Sequence, residues 1–159
     1  KKITPKKNPF MALHLLYELR RQGGDYKLSM AGAAVSDRSL RHLLHLAKVL
    51  GLENCVSLDG HISDIAPWFR DKGAIISTSL YESFGLAIAE AAASGAVPII
   101  FNFPNASDIW PRDWIVNSLP QAAQAVLDAH PGTARDFILK NYSLDKMVTS
   151  ISKVLLNDM

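Results

Sequence analysis

The sequence has 159 residues, within the range of one compact domain and long enough to bury a core without disulfides or a structural metal. Apolar residues make up 48% of it and charged residues 20%, which excludes a disordered chain. The net charge of +2 is too small to mark a nucleic-acid-binding protein, although Lys1, Lys2, Lys6 and Lys7 gather at one end.

The chain opens in a polar stretch without a signal peptide or an initiator Met, so a piece of a longer protein is expected. After Pro9, the residues Phe10, Leu13, Leu16, Tyr17 and Leu19 recur at helical spacing, and Gly23-Gly24 closes that helix. Residues 26–31 alternate as a strand does and end at Gly32. Ser36 can then cap a helix carrying Leu40, Leu43, Leu44, Ala47 and Leu50. Residues 55–58 read as the next strand; Cys55 is the single cysteine and fits a small buried hydrophobe in a reducing, cytoplasmic setting.

The alternation continues with a helix over 63–70, a strand over 74–77, a helix over 85–94 and a strand over 97–101. Both faces of the strands 74–77 and 97–101 are apolar, as in a parallel sheet covered by helices on each side, so the expected class is α/β, doubly wound and Rossmann-like. The longest apolar run, 86–97, is interrupted by Glu90, Ser94 and Gly95 and falls short of the roughly 20 residues of a membrane span. Residues 119–129, 133–141 and 144–157 read as a helical carboxyl-terminal segment, with a short strand over 114–116. No repeat or linker divides the chain, so residues 1–159 are read as one domain.

Ligands of an open parallel sheet bind beyond the carboxyl ends of its strands, which directs attention to the loop over 77–85 and the helix that follows. Gly85 lets backbone approach a ligand, and the first helical turn offers N–H groups at the positive end of the dipole, an arrangement suited to phosphate. Gly85 reads equally as a simple turn residue. Glu90 projects from a helix otherwise built for burial, so its carboxylate needs partners, which the hydroxyls of a ribose would supply; the alternative is a single solvated residue. Glu82, on the loop, can meet sugar hydroxyls or a reacting centre, or only complement the dipole.

Gly32, His61, Lys6 and Lys7 each read two ways, as ligand contacts or as turn and surface residues. The histidines are scattered and Cys/His zinc spacing, a P-loop and a Gly-x-Gly-x-x-Gly fingerprint are absent, so neither a metal nor a dinucleotide site is indicated. Ser83 lacks the flanking glycines of a nucleophile elbow.

The run Glu82-Ser83-Phe84-Gly85-Leu86-Ala87-Ile88-Ala89-Glu90 resembles the Glu, seven residues, Glu motif of retaining glycosyltransferases of the GT-B fold, in particular family 4 (glycosyltransferase group 1). Residues 91–100 resemble the alanine-rich, Gly-x-Pro segment that follows it, residues 50–62 the Leu-Gly-Leu and Val-x-Phe-x-Gly stretch, and Lys7-Asn8-Pro9 the Lys step before the first helix. The resemblance covers residues 7–110 and follows the order of the carboxyl-terminal, nucleotide-binding half of such enzymes.

It implies a donor-binding domain that takes a UDP- or GDP-linked sugar, with no cofactor or metal, for transfer to an acceptor hydroxyl with retention, in glycan or cell-surface polysaccharide synthesis. Lys7 would contact the diphosphate, the backbone of Ser83, Phe84, Gly85 and Leu86 the phosphate and sugar, Glu90 the ribose, Glu82 the donor sugar at the catalytic centre, and His61 and Ile62 the base. The acceptor, a glycan or a lipid-linked molecule, would be held by an amino-terminal domain absent here, through which the whole protein can sit on a membrane surface. The isolated fragment is expected to be inactive. The family's Gly-Arg step and the first strand are expected to be missing, and residues 102–108 replace its Gly-Gly pair and following Glu. Two other readings stay open: a non-catalytic nucleotide-binding or regulatory module, and a nucleotide-sugar epimerase of related fold.

Overall fold

The structure, a computed structural model, describes residues 2–34, 36–130 and 132–157. Every strand pair in it is parallel. Strand β1 (Lys2–Ile3) pairs with β3 (Ala33–Ala34), β2 (Leu28–Ala31) with β4 (Val56–Gly60), and β6 (Val97–Phe101) lies between β5 (Ala74–Ser77) and β7 (Ile115–Val116). The chain's first described strand is thus only two residues long, in a ladder of its own with β3. The hydrogen bonds form three separate ladders among the described residues rather than one continuous sheet.

The pleat of β6 explains the layers. Ile99 and Ile100 are neighbours in sequence and therefore point to opposite faces, and both are buried, at 1% and 0% exposure. Ile100 packs with Ile88, Ala89 and Ala92 of α4 (Leu86–Ala93) and with Ala134 and Ile138 of α7 (Thr133–Tyr142). Ile99 packs with Leu15 and Leu19 of α1 (Pro9–Arg21) and with Ala122 and Ala123 of α6 (Leu119–Leu127). Removing either isoleucine side chain from water is worth roughly 1.5–3 kcal/mol, so both faces of this strand are held.

Helix α1 also joins the ladders. Its Leu13 and Leu16 pack with Leu43 and Ala47 of α2 (Asp37–Val49) over Leu28 and Met30 of β2 and Val56 and Leu58 of β4. Ser36 caps α2 as expected, its hydroxyl accepting the Ser39 N–H at 3.2 Å. Cys55 is half-buried rather than buried. Helix α3 (Ile65–Arg70) sets Phe69 against Ala91 and Ala96 beside α4.

After β6 the chain makes a short helix, α5 (Ala106–Ile109), that sequence periodicity did not show, and it ends in α8 (Leu144–Asn157). None of the described helices is long and apolar enough to cross a membrane.

Candidate functional site at the β5–α4 loop

Strand β5 runs into three consecutive small polar residues, Ser77, Thr78 and Ser79, that are 8%, 6% and 5% exposed. Hydroxyls buried this deeply need partners. Thr78 donates to the Lys7 carbonyl at 2.7 Å, and Ser79 donates to Glu82 Oε1 at 2.7 Å. The Leu80 N–H donates to the Lys6 carbonyl at 2.9 Å, and the Lys6 ammonium stands 4.0 Å from the centre of the Tyr81 ring. The loop before α1 and the loop before α4 are therefore laced together along both segments.

At the centre of that junction the Lys7 ammonium donates to the same Glu82 oxygen that Ser79 reaches. Lys7 gets there because Pro5–Lys7 forms a 3-10 turn and Asn8 then takes a left-handed conformation, φ 45° and ψ 57°, that swings the chain into α1 at Pro9. Asparagine tolerates that region better than most residues. The Glu82 side chain is 10% exposed and that of Lys7 43%. Burial raises the Glu82 pKa, but the hydrogen bonds from Lys7 and Ser79 and the charges of Lys7 and Lys6 outweigh it and hold the group below the ordinary carboxylate range. Glu82 is ionised at neutral pH, so it accepts hydrogen bonds and has no proton to give.

Gly85 caps α4 from the left-handed region, φ 86°, and a Cβ there would lie 2.8 Å from Ile88 Cδ1. The turn and the packing of its own helix thus demand glycine before any ligand is considered. Its carbonyl accepts the Ile88 N–H at 2.8 Å, so the first-turn donors open to a ligand are those of Leu86 and Ala87. Leu86 is exposed, and Glu90, four residues on, shares its face and is half-buried, while Ile88, Ala89, Ala91 and Ala92 are buried. The accessible strip of α4 therefore carries Leu86 and Glu90.

Ser83 is exposed at the loop tip, whereas Phe84 turns inward: its ring lies 5.1 Å from Trp110 and 5.0 Å from Tyr142, centre to centre. The Tyr142 hydroxyl donates to the Ile109 carbonyl at 2.7 Å. Residues 102–108, which replace the expected Gly-Gly and Glu, put Phe103 and Ala106 into the same core under α4, so this loop packs inward. Trp110 is buried with them, and its indole N–H has no hydrogen-bond partner among the described residues.

His61 and Ile62 follow Gly60 at the carboxyl end of β4, on a separate loop, with His61 exposed and Ile62 half-buried. The Gly32 N–H donates to the Gly60 carbonyl at 2.6 Å where the β2–β4 register shifts, so Gly32 serves the ladder. Among the described residues no group of three or more His, Cys, Asp or Glu could hold a metal ion. Sequence reasoning missed Thr78, Ser79, Trp110 and Tyr142. The run of small hydroxyl residues after an apolar strand was the one available signal for the first two.

A parallel α/β domain whose strand-to-helix loop gathers an ammonium, a carboxylate and the start of a helix belongs to the Rossmann-like class that receives ligands at strand ends. The chain belongs to the family described as glycosyl transferases group 1, whose sequence model matches residues 1–111. Comparison with curated proteins finds no match.

Among solved structures, Alr3699/HepE from Anabaena in complex with UDP has the same fold, with a TM-score of 0.86 at 17% identity over 99% of this chain and 47% of that one. The same protein with UDP-glucose superposes with a TM-score of 0.84 at 17% identity, over 99% of this chain and 47% of that one. A glycosyltransferase from Rickettsia africae ESF-5 gives 0.80 at 22% identity, covering 97% of this chain and 45% of its own. The chain spans about half the length of these structures.

Proposed function

We propose that residues 1–159 form the single nucleotide-sugar-binding domain of a retaining glycosyltransferase of family 4, the carboxyl-terminal half of a GT-B enzyme that transfers a hexose to an acceptor hydroxyl. The observation that carries this reading is the Lys7–Glu82 pair set beside the amino terminus of α4. A cation and two open N–H donors suit a diphosphate, and the anionic Glu82 suits the hydroxyls of the attached sugar. Fold likeness to a protein solved with UDP and with UDP-glucose favours a UDP-linked donor.

In this reading the protein's contribution is electrostatic. As the bond from the anomeric carbon to the diphosphate breaks, charge grows on the leaving group, and Lys7 and the Leu86 and Ala87 N–H groups stabilise it without a metal ion. Glu90, on the accessible strip of α4, holds the ribose, and His61 and Ile62 line the base. The acceptor, a glycan or a lipid-linked molecule, belongs to the half of the enzyme outside this chain, and the work is done on the cytoplasmic side.

Glu90→Ala tests the ribose assignment. In the full-length enzyme, measured at a temperature where the variant is folded, it should weaken donor binding about tenfold or more, the loss of a hydrogen-bonded charge. Calorimetry giving the wild-type affinity would remove Glu90 from the site.

A further inference from the structure

Lys7 is half-exposed and on a turn, so something must hold its ammonium in place before a diphosphate arrives. Its own side chain does not do this alone, because a four-carbon stem has many rotamers. The backbone beneath it is fixed instead. Thr78, 6% exposed, donates its hydroxyl to the Lys7 carbonyl at 2.7 Å, and two residues later the Leu80 N–H takes the Lys6 carbonyl at 2.9 Å. Ser79, between them, turns its hydroxyl the other way, to Glu82 at 2.7 Å. Residues 78–80, with Thr78 and Ser79 buried and Leu80 exposed, therefore hold the backbone under the cation and the carboxylate it meets from one short strip at the end of β5.

We propose that Thr78 is a positioning residue for Lys7: by holding the Lys7 carbonyl it sets where the ammonium stands, and so how well the domain receives a diphosphate. Thr78 itself touches no ligand. The assignment rests on the donor-binding reading above and adds to it a residue that contributes through the backbone of another. A hydroxyl is required at this position, and a side chain of the same shape without one leaves the Lys7 carbonyl unpaired and the turn free to shift.

The test is calorimetric titration of the full-length protein with UDP and, separately, GDP, at a temperature well below the melting point of every variant. Thr78→Val, which keeps the shape and removes the hydroxyl, should weaken diphosphate binding about fivefold to tenfold, and Thr78→Ala should do the same; Thr78→Ser should return it to within about twofold. A purely structural role would lower the melting temperature of the Val and Ala variants and leave the affinity of the folded protein unchanged, which overturns the proposal. So does a Ser variant as weak as Val. Wild-type protein that binds neither UDP nor GDP defeats the donor reading and this assignment with it, whereas wild-type binding matched by Thr78→Val defeats the assignment of Thr78 alone.

Discussion

Glu82 shows how one residue's environment narrows its chemistry. The sequence left it between a dipole partner and a catalytic group; the structure places it against Lys7 and Ser79, ionised at neutral pH. Its folded pKa is depressed, so the stability it contributes is complete above the ordinary carboxylate value of about 4.3 and is lost as pH falls through the lower folded value. The stability gap between the wild type and Glu82→Gln should therefore be widest near neutral pH and close as the solution is acidified below about pH 4. Denaturant titrations at pH 7 and pH 3 showing the same gap would mean that the Lys7–Glu82 pair contributes nothing to the fold.

Helix α4 is held by its neighbours at both ends. Its amino-terminal turn is supported from below by Phe84, Trp110 and Tyr142, and at its other end Arg135 of α7 donates to the Ala93 carbonyl, a cation at a helix carboxyl terminus. Tyr142 couples α7 to this support through its hydrogen bond to Ile109. Tyr142→Phe keeps the ring and loses that bond, so it should cost about 0.5–1.5 kcal/mol in urea unfolding while donor affinity stays within about twofold. No measurable cost would make the Ile109 bond incidental.

Strands β5 and β6 were found to the residue because both faces are apolar, and α1 and α2 within a residue or so because Pro, Ser and Gly punctuate them. Helix α5 was not, since four residues carry no period, and β1 and β3 are too short to show one. The junction of residues 5–8 with 77–82 is a tertiary contact between segments about 75 positions apart, which local pattern does not reveal. Resemblance placed Lys7 and Glu82 at one ligand; their direct contact came from the structure.

At the scale of the whole molecule, α1 joins the ladders to the site. Its buried leucines tie the β2–β4 and β5–β6–β7 ladders together, and its amino-terminal turn brings Lys7 over to Glu82. The site is therefore a property of the assembled domain rather than of the motif over 82–90. The most direct measurement of that claim is the affinity of the full-length protein for UDP and GDP, by calorimetry, with and without Lys7→Met. The account predicts saturable binding of one of the two by the wild type and a loss of about tenfold or more in the variant, as expected for removing a charged partner of the diphosphate. A wild type that binds neither, or a variant that binds as tightly as the wild type, would contradict it.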